Sequence, residues 1–139
     1  MEIKSVVTGY LDENCYILIK NKTCLVVDPG DDYIKIKEEI GERNDVEELS
    51  SSLTPRVLVL HTHGTEAYVR DGEIYYTDSE REFARSHNSK ENVIAVGSVL
   101  ADILNRAGIP TVHSTVLHDS TQYKDSYARS AETVKKYLE

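Results

Sequence analysis

Leu60-His61-Thr62-His63-Gly64-Thr65-Glu66 sets two imidazoles and a carboxylate within one short stretch. In an extended strand, residues two apart point to the same side, so His61 and His63 could face one ion. Glu66 follows across Gly64-Thr65, within reach over a tight loop. Two imidazoles and a carboxylate, with water in the fourth position, are a common catalytic zinc set. Zinc lowers the pKa of that water toward about 7 and makes hydroxide available as a nucleophile. The chemistry predicted is metal-assisted hydrolysis, with Glu66 as ligand and catalytic carboxylate. The spacing leaves a second reading open, in which one histidine is a ligand or core residue and the other caps the loop.

Three further histidines are weighed the same way. His113 ends a second apolar run, and His118-Asp119 follows it. The second strand end should lie beside the first, so His118-Asp119 could supply a further ligand or a substrate contact, while a solvated or structural role stays open for His113 and for His118. His87, between Ser86 and Asn88, reads as a surface residue. Nothing resembles the nucleophile elbow of a Ser/His/Asp hydrolase, and no glycine-rich phosphate loop is present. Cys15 and Cys24 lie far from the histidines in sequence. They read as two small buried thiols on adjacent strands, a disulfide being expected only in an oxidising compartment.

The elements that must position these groups can be read from periodicity. Val57 to Leu60 is a continuous apolar run, the pattern of a strand covered on both faces, and it leads directly into His61. In open α/β sheets, ligands bind beyond the carboxyl ends of strands. Residues 1–28 read as strands: Ile3 to Val7, Asn14 to Lys20 with alternation, a hairpin turn at Asn21-Lys22, and Cys24 to Val27. Asp28-Pro29-Gly30 breaks the last of these, and a helix is predicted from Tyr33 to Ile40. Residues 41–55 are polar and weakly periodic, a linker or a fraying helix end. Residues 64–90 form a long polar segment with Tyr68, Tyr75, Tyr76 and Phe83, and a loop of that length is usually functional. Glu91 to Ala107 has helical spacing, Gly108 caps it and Ile109-Pro110 exits. Thr111 to His113 is a short strand and Ser126 to Leu138 a final helix.

The fold class expected is α/β. N-terminal hairpin strands join a parallel or mixed sheet, the Val57 strand is central, and helices 92–107 and 126–138 pack on it. An exposed sheet edge would invite pairing with another chain, a route to a homo-oligomer.

The hydrophobic fraction of 40% over 139 residues suffices for one ordinary core. A net charge of −8 without a basic patch argues against nucleic acid as a partner. No run approaches the ~20 apolar residues of a membrane span, and the N-terminus lacks the basic-then-apolar pattern of an export signal.

Residues 54–139 resemble the stage II sporulation protein P family of cell-wall amidases. The resemblance rests on Val57-Leu58-Val59-Leu60-His61-Thr62-His63-Gly64-Thr65-Glu66-Ala67-Tyr68, Asn92-Val93-Ile94-Ala95-Val96-Gly97 and Ala107-Gly108-Ile109-Pro110. It continues through His118-Asp119 and Ser126-Tyr127-Ala128-Arg129-Ser130-Ala131-Glu132-Thr133, in the family's order. It implies a zinc-dependent N-acetylmuramoyl-L-alanine amidase. Such an enzyme cuts the amide between the muramic lactyl group and the stem peptide of peptidoglycan. The metal residues would be His61, His63 and Glu66. Tyr127 and Arg129 match the family motif at the last helix, and Arg129 is a candidate for a stem-peptide carboxylate. The family pattern continues into a strand ending in His-Arg-Asp, whose histidine completes the zinc site, and a catalytic glutamate lies further on. The sequence stops at Glu139, so the expectation is an incomplete catalytic domain. The substrate implied is extracytoplasmic, whereas this chain shows no export signal.

Val7-Thr8-Gly9-Tyr10-Leu11-Asp12-Glu13-Asn14-Cys15-Tyr16 and Leu25-Val26-Val27-Asp28-Pro29-Gly30 resemble instead the opening strands of a metallo-β-lactamase-fold hydrolase. Here His61-Thr62-His63-Gly64 lacks that family's following Asp-His. The division expected is a strand-strand-strand-helix unit at 1–40, a linker at 41–55 and an amidase-like segment at 56–139, as in a chimera. The alternatives to the amidase are a metallo-β-lactamase-fold hydrolase and a non-enzymatic chimera with vestigial histidines.

Overall fold

Alternating apolar residues build the sheet. The computed structural model describes residues 1–9, 12–21, 23–41, 55–68 and 85–138. Its strands are β1 (Glu2–Thr8), β2 (Glu13–Lys20), β3 (Thr23–Val27), β4 (Val57–Leu60) and β5 (Thr111–His113). Its helices are α1 (Tyr33–Gly41), α2 (Val93–Arg106) and α3 (Ser126–Leu138). Lys22 of the expected hairpin turn, the linker 42–54 and residues 69–84 of the long polar segment lie outside the described residues. No helix among the described residues is long and apolar enough to cross a membrane.

The five strands lie in sequence order, β1-β2-β3-β4-β5. The first three form an antiparallel meander, while β3-β4 and β4-β5 are parallel. The sheet is therefore mixed, and the fold is α/β. The central strand is β3 rather than the expected Val57 strand. The reason is that the meander adds two strands on one side of β3–β4 and only β5 is added on the other. β1 is an edge, with no strand on its outer side among the described residues.

The chain divides into two compact units, residues 1–60 with 96–114, and residues 61–95 with 115–139. In the first, Val6, Cys15, Ile17, Ile19, Val26, Val57 and Val59 project from one face of the sheet. They form a core with Ile36 and Ile40 of α1, Leu100 and Leu104 of α2, and Ile109. Period-two burial along β2 (Cys15, Ile17 and Ile19 in, Tyr16 out) follows from the pleat. Cys15 and Cys24 are both free thiols. On the register, Cys24 sits opposite Ile19, four positions from Cys15 along β2, too far along the strand for a bond between them. Burial, with smaller contributions from Asp28 and Cys24, pushes the Cys15 thiol up to about 12.

The ends of α2 are held by specific chemistry. Asn92, fully buried, accepts at Oδ1 from Ile94 N (3.0 Å), the bond of an N-cap. At the other end Gly108 takes φ +79°, Gly108 N donates to Asn105 O (3.0 Å) and Ile109 N to Leu104 O (2.9 Å). These two bonds, with Ile109 and Leu104 both buried, make a Schellman cap. The helix therefore stops where Gly108 predicts, and Pro110 leads into β5.

Candidate functional site

The loop that leaves β4 lies in the second unit, and its backbone is fixed before its side chains are considered. Glu66 N donates to His63 O (3.1 Å), which closes a turn over Gly64-Thr65. Ser86 N donates to Thr65 O (2.7 Å) and Val93 N to Glu66 O (2.9 Å). Glu66 and Arg85 form an isolated antiparallel bridge. A Cβ on Gly64 would stand 3.0 Å from Leu117 Cδ2 and 3.2 Å from Ile94 Cδ1, so the loop packs too closely there for a larger residue to enter without displacement.

Asp119 organises this loop. Its carboxylate accepts from Thr65 N (3.1 Å), Thr65 Oγ1 (2.7 Å) and Arg85 Nη1 (3.1 Å), with the Asp119 side chain fully enclosed. The same oxygen that meets Arg85 stands 4.0 Å from His63 Nδ1. Ser126 Oγ lies 3.4 Å from that nitrogen. Asp119 and Ser126 thus both approach His63 from its Nδ1 side. Tyr123 stacks on the imidazole (centroids 4.4 Å apart, planes within 9°) and Tyr127 meets it edge-on (5.3 Å, 90°). The His63 side chain is 12% exposed, whereas Tyr123 and Tyr127 are 56% and 69% exposed. One imidazole is therefore held between aromatic rings, with a carboxylate toward one nitrogen. That environment suits a histidine that exchanges a proton or binds a metal through its other nitrogen.

The remaining residues singled out from sequence are placed as follows. His61 is buried and Glu66 exposed. His118 is buried, with Nδ1 2.7 Å from His61 O and Nε2 2.9 Å from Thr133 Oγ1. A ring nitrogen facing a carbonyl must donate, so Nδ1 carries the proton and both nitrogens are engaged within the fold. Arg129 donates from Nε to His118 O (2.5 Å) and from Nη2 to Gln122 O and Lys124 O, which ties the 118–125 loop to α3. His87 is exposed. The structure thus brings His63 and Tyr127 together, and joins His61 to His118 through backbone. Asp119, already paired with His118 in the sequence reading, and Ser126, from the motif at the last helix, join the cluster, and Tyr123 and Arg85 are additional to the residues picked out by sequence. Tyr123 and Arg85 sit in polar stretches without periodicity.

The donor chemistry of His61 and His63 suits zinc, but the count does not close. Among the described residues no group of three His, Cys, Asp or Glu side chains is placed to hold a metal ion.

The family profile described as Stage II sporulation protein P (SpoIIP) matches residues 20–139. The match spans most of the chain, crosses residues 41–55 and contains every residue of the cluster. The chain belongs to the stage II sporulation protein P family. Neither the curated proteins nor the solved structures gave a match.

Proposed function

We propose that this chain is a peptidoglycan hydrolase of the N-acetylmuramoyl-L-alanine amidase type, with zinc as its metal. The observation that carries the reading is the setting of His63. Its Nδ1 side faces the buried Asp119 carboxylate, the arrangement in which a carboxylate orients a ligating imidazole. Membership of a sporulation family supports a cell-wall substrate. His61 and His63 are the donors the chain offers to zinc, Glu66 is the candidate third donor or catalytic carboxylate, and Tyr127 is the candidate substrate contact. Bound zinc would supply an activated water for attack on an amide carbonyl. His118 and Arg129 serve this reading by fixing the loops that flank His63.

Two measurements test it. Metal analysis of zinc-equilibrated protein should give about one zinc per chain, reduced in His63→Ala. Digestion of purified peptidoglycan should release stem peptides. Zinc below about a tenth of an equivalent would favour the rival reading, in which the histidines serve the fold, as both nitrogens of His118 do. A zinc-loaded chain that releases no stem peptide is not an amidase.

A further inference from the structure

Arg85 is held through one guanidinium nitrogen and by a ring contact, while the rest of its guanidinium is unengaged among the described residues. Nη1 donates to Thr65 Oγ1 (3.2 Å) and Asp119 Oδ2 (3.1 Å). The Cζ atom lies 4.7 Å from the centroid of the Tyr123 ring, a cation–π contact. Among the described residues, Nε and Nη2 have no hydrogen-bond partner, and the side chain is 35% exposed against 0% for Asp119. A guanidinium engaged through Nη1 retains its Nε/Nη2 edge, one of the planar edges that takes a carboxylate through two parallel bonds. Asp119 and Tyr123 fix the plane, so little side-chain entropy remains to be lost on binding. The same two residues flank His63, with Asp119 4.0 Å from its Nδ1 and Tyr123 stacked on its ring. The contrast with Arg129 is direct, because Nε and Nη2 of Arg129 both go to backbone carbonyls.

We propose that Arg85 is a specificity-determining residue whose Nε/Nη2 edge binds a carboxylate of the stem peptide beside His63. The proposal rests on the peptidoglycan reading above. It adds a chemical criterion that the reading lacks: the ligand must present a free carboxylate near the amide to be cut. Amidation of that carboxylate removes its charge and replaces one acceptor oxygen with an NH2 group. That group points donors at the donors of Arg85.

The test compares two soluble muropeptides, one with free stem-peptide carboxylates and one with those carboxylates amidated. Binding to the full chain is read by titration calorimetry. The native chain should bind the acid form roughly tenfold to a hundredfold more tightly, the range of a charge-assisted pair. Arg85→Ala should bind both forms alike, at the affinity the native chain has for the amidated one. That unchanged affinity also reports an intact site. Arg85→Lys keeps a charge for Asp119 and should restore only part of the preference, since an ammonium cannot form the two-point contact. The proposal is overturned if the native chain binds neither form or shows no preference, or if Arg85→Ala, or Arg85→Lys should the alanine variant not fold, keeps the full preference. Cleavage is scored separately. A chain that prefers the acid form but cuts neither ligand retains the Arg85 assignment and loses the amidase reading. One that cuts and binds both forms equally does the reverse.

Discussion

Asp119 is a single enclosed carboxylate with three donors and an imidazole around it, and its removal would leave each of them unmatched. Thr65 N and Oγ1 lose their acceptor, and the Arg85 guanidinium loses its counter-charge. A broken buried pair costs several kcal/mol, and the partial exposure of Arg85 places this one at the lower end. Asp119→Ala is expected to destabilise the chain by roughly 2 to 3 kcal/mol, read as a lower urea midpoint at unchanged slope. Thr65→Val removes one hydroxyl and keeps the backbone donor, so it should cost about 1 kcal/mol. Equal costs for the two would mean that the carboxylate does not organise the loop. Gly64 is constrained by volume instead. Gly64→Ala pushes on the Leu117 and Ile94 side chains and should cost about 1 to 2 kcal/mol by overpacking. A neutral result would show that those side chains move aside freely.

Among the elements, α2 has both ends fixed by side-chain identity, and each end gives a separate test. Asn92→Ala deletes the N-cap bond to Ile94 and the bond from Asn92 Nδ2 to Ser86 O, and should cost about 2 kcal/mol. Gly108→Ala forces a Cβ into φ +79° and should cost about 1 kcal/mol. Thermal melts of the two variants check both figures, and a Gly108→Ala melt equal to the parent's would discard the Schellman assignment. This element was legible in the sequence because its signals are local: apolar spacing from Val93 to Leu104, then Gly108 and Pro110. The same holds for the alternation of β2 and the apolar run of β4. The order of the sheet was less legible, since the place of β3 depends on how many strands add to each side, and no single segment records that. The site divides along the same line. His63 stood out by spacing from His61. Tyr123 and Arg85 did not, because their roles exist only once the 61–66 loop, the strand-like segment at Arg85 and the 118–125 loop meet.

For the whole molecule, the response to acid is set by two opposing effects. The chain carries an excess of acidic over basic residues, with a net charge of −8, so partial protonation of its carboxylates relieves repulsion and favours the folded state. His113 acts in the other direction. Burial beside Ser98 pushes its pKa down from 6.5 to about 4, so the folded state holds it neutral while the unfolded chain binds a proton below 6.5. Its contribution is fully present above 6.5, and it is lost as pH falls from there through about 4. His113→Gln keeps a polar side chain of similar reach and removes the titration. Urea unfolding at about pH 7.5 and about pH 5 should show the parent losing stability relative to this variant on acidification, whatever the carboxylates contribute to both. If the two proteins keep a constant stability difference over that interval, His113 does not enter the folded state neutral.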